Sequence, residues 1–434
     1  MTPSRRGLLK GAGLAAIPLA GPADAAANDG SGPGAAILQT MLERYMGFGI
    51  KASGGPGDEA SGAWLAQELT AAGYACRRQP FDVPYFEVRQ ATLACGDAKA
   101  TVVPQAIVAA TGPQGLTAPL RMPSECSDLT GAIALLVLPF KRWAGLEDPQ
   151  VAKPLADALQ RGAAGAVLVT TGPTHEAIAL NVSTHAPPIP KPVALLAPKD
   201  AAPFVAAARA GQSATLVLDG DGGGPARRRA WNLIARLDRG AARTLVISTP
   251  RSGWFTCAAE RGSGLAVWLW LARWLARSRQ PVNVELLATS GHEYVYVGGE
   301  HYLAEAAPPP AATAIWVHIG ASAASRDWHE IGARLLPLPT PDAQRVLTAT
   351  QDRLDATRRA FAGVSGLEAT YLADKEMAGG ELINVLNAGY ASATGLYGIH
   401  RYFHTPADDL RCVSGDLVWP VAQAYRAAIS GYLA

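Results

Sequence analysis

The stretch from Ile247 to Gly264, ISTPRSGWFTCAAERGSG, constrains the fold more than any other part of the chain. A β-branched run from Thr244 to Ser248 meets a polar, glycine-containing loop, and a long apolar helical pattern begins near Ser263. That succession predicts a strand, a loop and a helix N-terminus. In α/β folds the loop after a strand's carboxyl end is where ligands bind. The chain therefore reads as an α/β protein with its chemistry in this loop.

Length and charge narrow the reading further. With 434 residues, 49% hydrophobic and 17% charged, the chain can bury a large core and form two domains. The formal net charge is +2, and the only dense basic run is Arg227 to Arg229, which argues against nucleic acid as a partner. No membrane span is expected, because the Trp-rich segment from Leu265 is interrupted by Arg273. At the start, Ser4-Arg5-Arg6-Gly7-Leu8-Leu9-Lys10 precedes a modest apolar segment and a small-residue exit at Ala25 to Ala27. Residues 1–27 thus resemble a twin-arginine signal, which implies a periplasmic or secreted protein exported already folded. The five cysteines, Cys76, Cys95, Cys126, Cys257 and Cys412, form no CxxC pair, and their odd number leaves at least one free. Cys76 and Cys95 flank two strand-like runs expected to pair as a hairpin, so a bridge between them is an expectation to test.

Along the chain, Ala35 to Gly73 is helical around a Gly/Pro break at Gly54 to Gly57, and strand-like runs follow through Tyr85 to Val88. From residue 102 to 224 the composition shifts to Ala, Leu, Val and Pro. Asp128-Leu-Thr-Gly131 opens an apolar strand, Ala163 to Val169 reads as a buried strand, and a further run follows Ile189-Pro-Lys-Pro. This series resembles a protease-associated domain. Asp219 to Gly224, DGDGGG, reads as its flexible exit and lacks the glutamate of a calcium loop.

The flanking segments, 28–101 and 225–434, resemble the co-catalytic zinc aminopeptidase family. The resemblance rests on the Gly-Pro-Gly-Asp-Glu-Ala-Ser loop at 55–61, the strand from Asn232, the 244–264 junction, the helix from Gly264, and the strand from Val282 leading to Thr289-Ser-Gly-His-Glu293. It continues through the strand Ala314 to Ile319, Asn387-Ala-Gly389 and Phe403-His404-Thr405-Pro406-Ala407-Asp408. It implies a three-layer α/β sandwich with a central mixed sheet, plus an inserted protease-associated domain. It also implies a peptidase-type hydrolase acting on a peptide or small-molecule substrate, with the insert as a lid or partner surface.

The ligands that resemblance calls for are mostly absent. Two zinc ions need imidazoles, a bridging carboxylate and further carboxylates, with a free glutamate to activate water. By position the first histidine is Thr249 and the aspartate after it Arg251; the bridging aspartate is Ala259, with Glu260 beside it. The catalytic glutamate is His292, followed by Glu293. The next strand offers Val317 beside His318, and a later segment reads Gly380-Glu381-Leu382. Only Glu293 and His404 keep their place, so a two-zinc site is not expected.

The remaining polar residues suggest a rebuilt site. In one reading His292, Glu293, His404, Arg251, Glu260 and Asp408 carry the reaction: His292 is the base, Arg251 holds an anion, and Asp408 stands behind His404. Arg261, His318, Ser252 and Cys257 then line the substrate. In a second reading a single zinc is held by Glu293, His404, His292 or His318. In a third the chain is a non-catalytic binding protein on a peptidase fold. Cys257 reads as an inert buried thiol, or as a thiolate favoured by Arg251 and the helix start.

Export gives a direct test. Replacing Arg5 and Arg6 by lysine is expected to leave full-length protein in the cytoplasm, checked by fractionation and mass measurement; unchanged periplasmic yield would refute the signal.

Overall fold

The computed structural model describes residues 34–434 apart from Ala333 and Lys375, so the export signal lies outside the described residues. The strand Thr244–Pro250 and its neighbours form the middle of a mixed sheet. On one side it runs parallel to Asn283–Thr289, and on the other to Thr313–Ile319, which in turn runs parallel to Ala393–Gly398. These strands are apolar on both faces because both are covered, as parallel sheets require. Leu245, Ile247, Val284, Leu286, Ile315 and Val317 face one core. Val246, Leu287 and Trp316 face the other.

The first core is closed by the helices Gly34–Met46, Pro56–Ala71, Ser263–Arg277 and Gly415–Leu433. Ser263–Arg277 is buried on every side from 263 to 272, which explains why its sequence is apolar all round rather than along one stripe. Trp268 Nε1 donates to Ile247 O at 3.0 Å and ties this helix to the strand that precedes it. Across the sheet, Val297–Glu305 and Leu382–Asn387 cover the second core. The result is the expected three-layer sandwich.

Beyond Ala393–Gly398 the central sheet continues with Arg345–Ala349 and Thr370–Leu372, while five strands at its other end form a second lobe. Leu116–Arg121, Ile133–Val137, Gly165–Val169 and Val193–Leu196 lie parallel in sequence order, with Ala98–Pro104 antiparallel at the end. The helices Pro149–Gln160 and Ala201–Arg209 pack against them in separate apolar clusters. Two long strands, Ala75–Cys95 and Ser213–Leu237, pair antiparallel and run through both lobes.

That ribbon corrects two expectations. Asp219 to Gly224 is not a flexible exit; it is strand, with Glu87 opposite Asp221 and Gln90 opposite Asp219, and Arg89 bonds both aspartates. Positive φ values at Gly222, Gly223 and Gly224 of 97°, 88° and 52° bend it where the register shifts. Nor do Cys76 and Cys95 face each other across a hairpin. They occupy opposite ends of one strand, on the order of 60 Å apart if it were straight, and both thiols are free.

Among the described residues no helix is long and apolar enough to cross a membrane. The dependence of the sandwich on its central helix is testable: Trp268→Ala is expected to cost about 3–5 kcal/mol, read from the urea midpoint. A shift under about 1 kcal/mol would show that the helix is not anchored there.

Candidate active site

The carboxyl ends of the parallel strands bring most of the expected residues together. Thr249 to Ser252, Ser290 to Glu293 and His318 stand at or just beyond the carboxyl ends of three adjacent strands, while His400 to Asp408 returns as a loop opposite the 257–263 turn. Glu260, Arg261, His292, His318, Glu381, His400, His404 and Asp408 are all buried.

At the centre lies Arg261. Its Nε donates to Ser252 O at 2.7 Å and its Nη2 pairs with Glu260 Oε1 at 2.8 Å, while Nη1 has no hydrogen-bond partner among the described residues. Burial pushes Glu260 up, but Arg261 and then His404 outweigh it and hold the carboxyl well below its usual range. The guanidinium stays charged because Glu260 outweighs its loss of water.

His404 Nε2 stands 3.2 Å from Glu260 Oε1, and its Nδ1 meets Ala179 O at 2.9 Å. The carboxylate behind His404 is therefore Glu260 and not Asp408, as the sequence had suggested. Asp408 instead accepts from the backbone N–H groups of Ala259 and Glu260, at 2.9 and 3.0 Å, and lies 3.4 Å from His400 Nε2. A carboxylate at that turn satisfies amides a helix start leaves open.

His292 has the other carboxylate of the site. Its Nδ1 is 3.0 Å from Glu381 Oε1, which also accepts from Thr289 Oγ1 at 2.7 Å. Burial, then Arg261, pushes the His292 pKa well below 6.5. Burial also lowers His318 to about 4, with Glu381 opposing and His292 and Arg261 reinforcing the shift. His318 Nδ1 bonds Ser248 Oγ at 2.9 Å, and its Nε2 is unpartnered among the described residues. Both imidazoles are thus neutral near pH 7, as bases must be.

Several expected residues are engaged elsewhere. Arg251 is not open to an anion: it is fully buried, 3.0 Å from Asp58 Oδ1, with its guanidinium over the Trp231 ring. Glu293 accepts from Ser53 N and Oγ at 2.9 and 2.8 Å and from Ser252 Oγ at 2.7 Å, which occupies both oxygens. Ser252 is fully buried in that network. Cys257 is buried, and loss of water, then Glu260 and Asp408, pushes its thiol up, so the thiolate alternative falls. The residues missed are Glu381, His400, Asp58 and Ser53. Glu381 stood in a segment already matched to a family motif, and Asp58 in the Gly-rich loop.

Backbone strain gathers here. The non-glycine residues with positive φ, Cys257, Val295, Tyr296, Ser322 and His404, flank or belong to the cluster. A β-branched residue such as Val295 at φ 51° is costly, and such strain concentrates at functional sites.

The residues do not fit a pair of zinc ions. Thr249 Oγ1 donates to Ile319 O at 2.8 Å, Ala259 offers no ligand atom, and Arg261 brings a fixed cation among the surviving carboxylates. His292, Glu293, His318 and His404 do not gather their ligand atoms as a metal cluster. Among the described residues the one group that does is His400, Asp408 and Cys412, within 4.8 Å of one another. There Asp408 already serves two backbone amides, and burial pushes the Cys412 thiol up.

The second lobe reaches this site. Ala179 N donates to His404 O at 2.8 Å, Val182 N to Glu293 O at 3.1 Å, and Trp254 Nε1 to Asn181 Oδ1 at 2.8 Å. Residues 177–182 thus lie across the cluster as a strap.

No protein-family model matches the sequence, and no curated protein matches it by sequence. Solved structures do resemble it over nearly the whole chain. A zinc aminopeptidase from Bacillus subtilis superposes with a TM-score of 0.69 at 17% identity, covering 92% of this chain and 94% of its own. The aminopeptidase from Aneurinibacillus sp. strain AM-1 gives 0.62 at 17%, covering 91% and 93%. A peptidase M28 precursor from Shewanella amazonensis SB2B gives 0.69 at 18%, covering 94% of each chain. This chain thus has the α/β fold of the zinc aminopeptidases.

Proposed function

We propose that the chain is an exported hydrolase of amide-type bonds in peptides or related small substrates, working by general base catalysis at a rebuilt site rather than through two zinc ions. The observation that carries this reading is the pairing of His292 Nδ1 with Glu381 at 3.0 Å beside Arg261, whose Nη1 is unpartnered. A carboxylate on Nδ1 orients the ring and leaves Nε2 free to take a proton from water. The water oxygen attacks the carbonyl carbon, the buried positive charge of Arg261 favours the oxyanion through its field, and the proton on His292 passes to the leaving amine as the C–N bond breaks. His318 lies on the same side as a neutral hydrogen-bonding group. Glu260 and His404 are positioning residues that hold Arg261 and the strap. The second lobe, read as a protease-associated insert, would act as a lid through residues 177–182.

A non-catalytic binding protein is the second reading, favoured by the closure of Glu260, Arg261 and His404 beneath that strap. The single-zinc reading has less support, since Glu293 is spent on serines.

A panel of peptides and aryl amides, run on wild type, His292→Ala, Glu381→Gln and His404→Ala, separates these readings. Turnover is expected to fall about 100-fold or more in His292→Ala and by less in Glu381→Gln. The direction of the His292 shift adds a pH signature. A base with a lowered pKa stays unprotonated through pH 6.5, so kcat/KM is expected to hold level there and to fall only at lower pH. Full activity in His292→Ala would remove it as base, while wild-type protein that binds substrates without turning over any would establish the binding reading.

A further inference from the structure

We propose that His400, Asp408 and Cys412 hold one structural zinc ion that staples the 400–412 loop beside the candidate active site. Each of the three side chains is 1% exposed, and their ligand atoms lie within 4.8 Å of one another. An imidazole, a carboxylate and a thiolate together are a donor set that zinc accepts. None of the three belongs to the His292, Glu381 and Arg261 group, so this ion is not the catalytic zinc of the single-metal reading.

One distance separates a metal site from an ordinary ion pair. His400 Nε2 stands 3.4 Å from Asp408 Oδ1 and has no hydrogen-bond partner among the described residues. That is longer than the roughly 2.7–3.2 Å of an N–H···O bond. A nitrogen and an oxygen each about 2.0–2.2 Å from one tetrahedral zinc stand about 3.3–3.5 Å apart, which is the spacing seen. His400 Nδ1 is 2.8 Å from Ser322 Oγ, and this outer bond fixes the ring with Nε2 towards Asp408. Asp408 keeps room for a metal, because a carboxylate has about four lone-pair directions and the amides of Ala259 and Glu260 use one on each oxygen. Burial opposes a bare Cys412 thiolate, but a zinc ion on the sulfur supplies the missing charge and displaces the proton.

The loop gives the ion its purpose. Between His400 and Cys412 it carries His404, whose ring meets Glu260 and whose carbonyl accepts from Ala179 of the strap. A metal on His400 and Cys412 ties both ends of that loop and so fixes His404 between them. With every ligand buried, the ion is taken up as the chain folds and leaves only when it unfolds.

The test reads metal rather than turnover, so its outcome does not depend on the hydrolase reading. Full-length protein from zinc-replete cells is expected to carry about one zinc per chain, kept against EDTA while folded and released in guanidinium, as read with a chromogenic chelator. Cys412→Ala and His400→Ala are expected to bring the content close to zero, while His292→Ala, outside the cluster, keeps it. If the Cys412 variant does not fold, wild type refolded with cobalt(II) decides, because a thiolate-to-cobalt charge-transfer band in the near ultraviolet marks a cysteine ligand. Zinc-free protein that takes up none on refolding, zinc kept in folded Cys412→Ala, zinc lost from folded His292→Ala, or bound cobalt without that band would overturn the proposal.

Discussion

A guanidinium shut away from water must be matched by a carboxylate, and this protein buries two of them side by side. Arg251 sits on Asp58 and Arg261 on Glu260, at 3.0 and 2.8 Å, with all four side chains at most 1% exposed. Removing such charges from water costs several kcal/mol per ion, which close pairing and further hydrogen bonds must offset. Each pair therefore fixes more than itself. Asp58 also accepts from Gly54 N and Ser290 Oγ, which joins the start of the helix Pro56–Ala71 to a strand end. Glu260 reaches His404, whose backbone and ring hold the strap from the second lobe. Strand ends, helix starts and the 177–182 strap are thus joined through two ion pairs.

The same constraint explains which parts of the site were legible in the sequence. Strands and helices were readable because their apolar periodicity is local: Thr244 to Ser248 and the helix after Ser263 stand where the pattern puts them. Partners of charges are not local. Arg251 read as a free anion holder because nothing near it in the chain neutralises it, and only the fold brings Asp58 alongside. Glu381 was passed over for the same reason, since it gains meaning only when its helix start meets His292. The ribbon misled differently. Pro84 and the DGDGGG run look like breaks, yet the bulges they form let one long strand pair continue, so Cys76 and Cys95 read as facing each other when they are not.

The fold of the zinc aminopeptidases is compatible with more than one chemistry, because fold and site are separable. What distinguishes this site is that a fixed organic cation, Arg261, is buried in it and paired with Glu260. Arg261 outweighs burial to keep the Glu260 carboxyl low, while burial, reinforced by Arg261, lowers His292 and His318. Five non-glycine residues with positive φ among the described residues lie in or beside the cluster, and such backbone strain gathers at functional sites.

The most direct measurement of that claim is elemental analysis of the purified protein from zinc-replete cells. A site organised by Arg261 predicts that the protein does not carry two zinc ions. Two equivalents of zinc per chain, lost together with folding or activity on chelation, would contradict the account.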